Sequence, residues 1–499
     1  MGTKSTRLLI LIVAYNDVAT IQTVLSRIPS AISRHPYRIL IIDDSSSDKT
    51  FESALQYKMG NPKLDIDILY NPQSQGYGGN LKIGFQYAID HDFDMVALLH
   101  GNGKYAPEVL EDLITPVVQN DADVVLGSRM IEPLKALKEG MPLYKYIGNR
   151  ILTRTQNYFL GASLSEFHSG YRVYSVAALM SVPFAYNTND YHFDTEIVIQ
   201  FMLKGLRVSE VEIPAYSSYE INLRNGIVYA WKVLQTTITS GLNRMGIFFD
   251  RKYDVSDDAV WYSLKLGYTS SHSIVLDEIA PGSRVLDIGC GSAQFAEKLK
   301  EKGCYVHGLD WLDLEEPAHV DLYTRLDLNR DDVDLPREEY DYILLLDIIE
   351  HLLRPEKLLE DLREQVKGEK PIIIITVPNV AFFLVSLRLL FGEFRYGKQG
   401  VLDLTHRRLY TFKSIRDSLV KGGYEIESIK GIPAPYPKAL GYNLATRILI
   451  TLNTFLIKLS RSFFSYQVLV TARPLPTLAD LIAAATSAAE QMKQRTHRS

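Results

Sequence analysis

Three short patterns in this sequence bring together residues able to do chemistry, and each sits where an apolar run ends. The first is VLDIGCGSAQF, Val285 to Phe295, followed by YVHGLD, which closes on Asp310. Gly289 and Gly291 let backbone pass close under a ligand, the helix that follows offers free N–H groups, and a carboxylate at the next strand end can accept both hydroxyls of a ribose. Gly289, Gly291 and Asp310 therefore read as a nucleoside pocket, with a ligand-free tight turn as the bland alternative. The second pattern pairs LIVAYND with RILIIDDSSSDKT, placing Tyr15 and then Asp43 and Asp44 at successive strand ends. There the backbone can hold a nucleobase and the carboxylates a base and ribose. The third is LLHGNGKYAPE, Leu98 to Glu108, which ends a strand on His100, Asn102 and Lys104.

Further candidates stand apart from these runs. Arg129 in GSR and Arg172 in HSGYRVYS carry planar guanidinium groups that match phosphate oxygens bidentately. Asp194 in YHFDTE is the candidate general base, with Glu196 second. His351 and His406 are candidate proton acceptors, and His351 is the stronger because it follows a strand at the edge where ligands bind in open α/β sheets.

The elements needed to hold these residues alternate along the chain. LLILIVAY, RILIIDD, DIDILY, DMVALL and DVVLGS are short apolar strands separated by helical patterns, which predicts a mostly parallel, helix-covered sheet. RVLDIG, YVHGLD, YDYILLLD and PIIIITVPN repeat that grammar in the second half. The fold class is thus α/β, with two doubly wound domains in series. A length of 499 residues suits two cores. The predicted division is residues 1–225, a helical connector over 226–258 with the boundary near Tyr253, a second domain over 259–475, and a polar tail over 476–499.

Composition narrows the function classes. At 46% hydrophobic, 23% charged and 10% aromatic the chain is globular, and a net charge of −5 gives no general field for nucleic acid. Two cysteines, Cys290 and Cys304, form neither a metal-type pair nor a disulfide framework, which fits a cytoplasmic protein. LLILIVAY is too short to span a bilayer. VAFFLVSLRLLF and RILITLNTFLIKLSRSFF are interrupted by Arg or Lys, so either could lie on the inner face of a membrane without crossing it.

From about Ser263 to Pro474 the chain resembles class I S-adenosylmethionine-dependent methyltransferases. VLDIGCGSAQF with Asp287, Gly289 and Gly291, then Asp310, LDLN with Asp327, LDIIEHLLRPE with Asp347, TVPNV and LDLTHRRLYT carry the likeness. The later motifs resemble the branch acting on sugars and small molecules. The resemblance implies a Rossmann-like fold and S-adenosyl-L-methionine as cofactor. Ala293 stands where many relatives have a third glycine. A dinucleotide dehydrogenase, the rival for this pattern, would need a glycine at Gln294.

From about Arg7 to Tyr219 the chain resembles family 2 glycosyltransferases of the GT-A fold, especially polyprenol-phosphate sugar synthases. NPQSQGYGGNLKIGFQYA, PLYKYIGNRILT and FDTEIVIQFMLKGLRVSEVEIP extend the likeness. It implies a nucleotide sugar as donor and a glycan or polyprenol phosphate as acceptor. In that family the fourth strand ends in Asp-x-Asp, which holds Mg²⁺ or Mn²⁺. His100 and Asn102 occupy those positions here, and neutral side chains are poorer ligands for a hard cation. Two readings stay open: a bifunctional transferase of cell-surface glycan synthesis, or an active methyltransferase carrying a non-catalytic sugar-nucleotide module.

Overall fold

The computed structural model describes residues 6–215, 223–255, 264–313, 319–330, 336, 339–365, 371–482 and 485–486. The chain forms two compact units, residues 1–243 with 250–258, and residues 244–249 with 259–499. Most of the tail expected over 476–499 lies outside the described residues.

The first unit has seven strands: β1 (Leu8–Ala14), β2 (Tyr37–Asp43), β3 (Ile66–Tyr70), β4 (Met95–His100), β5 (Val124–Ser128), β6 (Arg172–Ser175) and β7 (Val208–Glu212). Their order across the sheet is β3-β2-β1-β4-β6-β5-β7. β1 is an unbroken apolar run because its residues are buried on both faces, as a central parallel strand requires. Leu9, Leu11, Leu40 and Ile42 pack with Leu81 and Phe85, while Ile10, Ile12, Ile39 and Ile41 belong to a separate cluster with Leu110 and Leu113. Successive side chains point to opposite faces, so one strand serves both layers.

Register sets up the candidate site. Ala14 pairs with Asp43, and Val13 with His100, so the C-terminal ends of β1, β2 and β4 lie side by side. β6 runs antiparallel to β4 with Leu98 opposite Arg172, making the sheet mixed rather than all-parallel. β6 and β7 are short or polar, and neither stands out as a strand in the sequence. The helix Leu223–Arg244 as far as Asn243, and residues 250–255, which the sequence places in a connector, group with the first unit. Tyr229 Oη lies 3.1 Å from His168 Nδ1, and Lys252 pairs with the buried Glu196 at 2.8 Å.

The second unit repeats the plan with β8 (Arg284–Ile288), β9 (Tyr305–Asp310), β10 (Leu322–Arg325), β11 (Tyr342–Leu346), β12 (Ile372–Pro378), β13 (Tyr424–Ile432) and β14 (Gln467–Pro474). The order is β10-β9-β8-β11-β12-β14-β13, and β14 and β13 form an antiparallel edge. Asp287 pairs with Gly308 and Leu344, so β8 lies between β9 and β11, and Asp310 ends the neighbouring strand.

Among the described residues no helix is long and apolar enough to cross a membrane. The two apolar stretches become the helices Phe383–Leu390 and Leu444–Leu459. The second exposes Leu444, Ile448, Leu452, Phe455 and Leu459, a stripe along one side.

Candidate active sites

In the first unit the acidic pair divides its labour. Asp44 accepts from Asn71 Nδ2, Ser74 Oγ and the N–H groups of Gln75 and Gly76, at 2.7–3.0 Å. Burial alone would raise its carboxyl, but these donors hold it below the usual range. Asp44 therefore fastens the loop that opens the helix Gly76–Asp90, which corrects the expectation that it contacts a nucleoside. Asp43 accepts from Ser46 N, at 2.8 Å, and its Oδ2 is buried without a hydrogen-bond partner among the described residues. Tyr15 is 59% exposed at the adjacent strand end. Its N–H donates to Asp17, whose carboxyl is pushed up to about 6, chiefly by burial, with Asp48 and Asp43 adding to the rise and Lys104 opposing it. Asp17 closes the LIVAYND motif but was not singled out among the candidates.

His100 ends β4 inside the fold. Its Nε2 is 3.5 Å from Tyr77 Oη, and a Cβ on Gly170 would come within 2.8 Å of the same atom. Burial, then the charges of Lys104 and Arg172, push its pKa down to about 3, so the ring is neutral. Asn102 Oδ1 accepts the N–H of Lys104 at 3.1 Å within the turn. A neutral, half-buried imidazole and an amide oxygen already in use do not fit a hard dication, which prefers charged oxygen.

Arg172 is fully buried. Its guanidinium donates to the carbonyls of Ser169, Asp194 and Phe167 at 2.7–2.8 Å and lies 3.7 Å from Asp194 Oδ1. The expected phosphate clamp is corrected: Arg172 holds three loop carbonyls and faces no opening. Asp194 is also buried, accepts from Tyr77 Oη at 3.0 Å, and has its carboxyl raised by burial. Glu196 is taken by Lys252 and by the N–H of Thr188, which removes it as a base.

Arg129 is differently placed. It pairs with the buried Glu166, which also receives Asn149 Nδ2 at 2.7 Å. Lys145 has its pKa lowered by burial and then by the charges of Arg129 and Lys104, with Glu166 acting against them. Lys145 lies in the PLYKYIGNRILT motif, yet nothing in its spacing marks it off from a surface lysine. Neither did any pattern signal Glu166, Tyr77 or Tyr229.

In the second unit the glycine turn has the form a nucleoside cofactor requires. Gly289 has φ +79°, and a Cβ there would meet Ile348 at 2.7 Å; Gly291 has φ +54° with open space beyond it. Asp310 accepts from Gly291 N at 2.8 Å and Leu312 N at 3.1 Å, which leaves carboxylate lone pairs for ribose hydroxyls. Asp287 is buried, and burial followed by Asp310 pushes its carboxyl up to about 7. Asp327 caps a turn at Asn329 N, 3.0 Å away. Asp347 is already taken: Lys265 pairs with it at 2.7 Å, and Thr376 and Gln467 donate at 2.8 and 2.9 Å. Burial would raise its carboxyl, but Lys265 and these donors hold it at about 2. Asp347 ties Lys265, Thr376 and Gln467 together past the end of β11, in place of the direct cofactor contact expected of it.

Ala293 has φ +58° and caps the helix Gln294–Glu301 from the left-handed region. An alanine there bears about 1–2 kcal/mol of strain, roughly matching what a glycine loses in packing and unfolded-chain entropy. Ala293→Gly is therefore expected to change stability by less than about 1 kcal/mol. Ala296→Gly, at a buried right-handed helical position, costs about 1.5–2 kcal/mol. Denaturant midpoints of the two variants check the difference.

Residues 9–182 match Glycosyl transferase family 2, and residues 268–429 match a family described as Methyltransferase domain. The undecaprenyl-phosphate mannosyltransferase of Micrococcus luteus is 26% identical over 208 residues, 42% of this chain and 82% of the relative. The UDP-N-acetylglucosamine–dolichyl-phosphate N-acetylglucosaminyltransferase of Methanococcus voltae is 26% identical over 236 residues, 45% of this chain and 92% of the relative. An uncharacterized protein of Methanocaldococcus jannaschii is 27% identical, covering 39% of this chain and 77% of its own length. Among solved structures, glucosyl-3-phosphoglycerate synthase of Mycobacterium tuberculosis aligns at TM-score 0.37 and 16% identity, over 47% of this chain and 78% of that one.

Proposed function

From a chain that carries a family 2 glycosyltransferase domain and a methyltransferase domain, we propose a bifunctional transferase of cell-surface glycan assembly. The first unit moves a sugar from a nucleotide sugar to a polyprenol phosphate or glycan. The second moves a methyl group from S-adenosyl-L-methionine to a hydroxyl of a sugar or related small molecule. The mutual electrostatic influence of Lys104, Arg129 and Lys145, strong enough to lower the Lys145 pKa, carries the first half of this reading. Sugar transfer breaks the bond between the anomeric carbon and the diphosphate, and the leaving charge must be neutralised. With no hard-cation donor set at His100 and Asn102, these three cations supply that charge. A phosphate acceptor is already anionic, so it needs no base, and Asp194 serves to hold the Tyr77–Arg172 network in place.

In the second unit Gly289 and Gly291 give the cofactor its cradle, and Asp310 and Asp287 give it carboxylates. Bound there, S-adenosyl-L-methionine supplies an electrophilic methyl group. Proton removal from the acceptor hydroxyl falls to the group around His351 and His406. The exposed stripe on Leu444–Leu459 supports work at a membrane surface, on the inner, cytoplasmic face. Conversely, His100 and Asn102 favour a second reading, in which the first unit binds a sugar nucleotide without turning it over.

Turnover of UDP- and GDP-sugars with undecaprenyl phosphate in detergent, with and without EDTA, separates the readings. Turnover that survives EDTA is expected, with Asn102→Asp gaining a several-fold response to Mn²⁺. Nucleotide-sugar binding without turnover would favour the binding module. Full dependence of the unmodified chain on Mn²⁺ would assign the ion to Asp17 or Asp43.

A further inference from the structure

Just past β11 the chain passes through Asp347 into the short turn Ile349–His351. Glu350 in this turn is 1% exposed, and among the described residues neither of its carboxylate oxygens has a hydrogen-bond partner. Its own carbonyl accepts the N–H groups of Arg407 and Arg408 at 2.8 and 3.1 Å. These bonds fix the segment Val401 to Arg408 against the turn and set His406 beside His351, ring centroids 4.8 Å apart. One ligand atom from each of Glu350, His351 and His406 lies within 4.8 Å of the other two.

Hydrogen bonds settle which nitrogen of each ring faces this cluster as a lone pair. His406 Nδ1 is 3.1 Å from the carbonyl of Val401, which can only accept, so Nδ1 carries the proton and Nε2 the lone pair. His351 Nδ1 is 2.9 Å from Thr405 Oγ1, and that hydroxyl donates to Asp403 at 2.7 Å. The hydroxyl therefore accepts from His351 Nδ1–H, again leaving Nε2 with its lone pair. An Asp403–Thr405–His351 relay and a backbone carbonyl on the second ring are the outer partners that orient metal-ligating imidazoles.

A buried carboxylate whose two oxygens lack any donor is costly unless something supplies positive charge. Two imidazole lone pairs and one carboxylate make a three-ligand set that leaves positions open for solvent or substrate. We infer that Glu350, His351 and His406 bind one divalent transition-metal ion, of the zinc kind, at the acceptor edge of the second unit. The inference rests on the methyl-transfer reading for its chemistry but not for the site itself. A dication beside the acceptor lets a poorly acidic hydroxyl release its proton to water near neutral pH. The resulting oxygen then forms a bond to the methyl carbon while the carbon–sulfur bond breaks, its electron pair passing to sulfur and leaving a neutral thioether. No oxidation state changes. His351 thus acts as a ligand rather than as the free base read from the sequence.

Cobalt is the probe. The full chain, stripped with a chelator, is titrated with Co²⁺ and followed by visible absorption, in parallel with Glu350→Gln and His406→Ala. S-adenosylhomocysteine affinity, measured by calorimetry, reports the integrity of the cofactor pocket. One equivalent of Co²⁺ with the intense bands of a nitrogen-ligated, low-coordinate ion is expected in the unmodified chain, displaced by Zn²⁺. Both variants should weaken that binding by at least about tenfold while keeping S-adenosylhomocysteine affinity. Absence of the bands from the unmodified chain, or their survival in both variants, overturns the metal site. Failure of the unmodified chain to bind S-adenosylhomocysteine would overturn the methyl-transfer reading instead, leaving the cobalt result to decide the site alone.

Discussion

Replacing Arg172 with alanine is expected to unfold the first unit rather than to slow a folded enzyme. The guanidinium is fully buried, and its three hydrogen bonds go to the carbonyls of Phe167, Ser169 and Asp194. Removing it leaves those carbonyls without their donor and strips Asp194 of its neighbouring charge in a dry interior. Breaking a buried charge network from one side costs about 3–5 kcal/mol, a large part of the stability of an ordinary domain. Arg172→Lys is expected to recover little, because one ammonium cannot reproduce the planar fork that meets three carbonyls. Circular dichroism and thermal melting of the full chain check this. A variant that melts like the unmodified protein yet has lost sugar transfer would restore the phosphate-clamp role.

Arg172 also illustrates where sequence reading ran out. HSGYRVYS marks the residue, but chemistry alone does not say whether a guanidinium faces a ligand or three carbonyls; that depends on β6 running antiparallel to β4, which four residues do not announce. The two glycine and acid motifs were legible because each is local. Asp310 sits one strand from Gly291, and Tyr15, Asp43 and His100 end strands that the apolar runs already outline. Asp44 and Asp347 were over-read for one reason: a carboxylate at a strand end is equally suited to a ligand and to the loop beside it, and hydrogen-bond partners decide between them. Glu166, which pairs with Arg129, and Lys145, which feels the charge of Arg129, are long-range neighbours that no periodicity encodes. The pairing of His351 with His406 is likewise long-range, and rests on two bonds from the backbone of Glu350.

Cofactor affinity in the second unit is expected to depend on pH through Asp287. Burial, reinforced by Asp310, lifts its carboxyl from 3.8 to about 7, so in the empty pocket the group is largely protonated below neutrality. A carboxyl raised by folding favours the folded state below its ordinary pKa, and that contribution is lost as the pH climbs from 3.8 to about 7. Stability of the empty unit should therefore fall across that window. Binding has the opposite sign. S-adenosyl-L-methionine brings a sulfonium and an ammonium, whose positive charge favours the ionised carboxylate and draws its pKa down. Below about 7 each binding event must expel a proton, so affinity should rise by up to tenfold per pH unit towards neutrality and level off above it. Asp287→Asn keeps the shape and removes the charge. It should abolish the pH dependence and weaken binding at pH 8 by about a hundredfold, the loss of a charge-assisted contact worth about 3 kcal/mol. Calorimetry in buffers of different ionisation enthalpy counts the released proton directly. A pH-independent affinity in the unmodified chain, with no proton released at pH 6, would show that Asp287 is already ionised or stands away from the cofactor's positive charge.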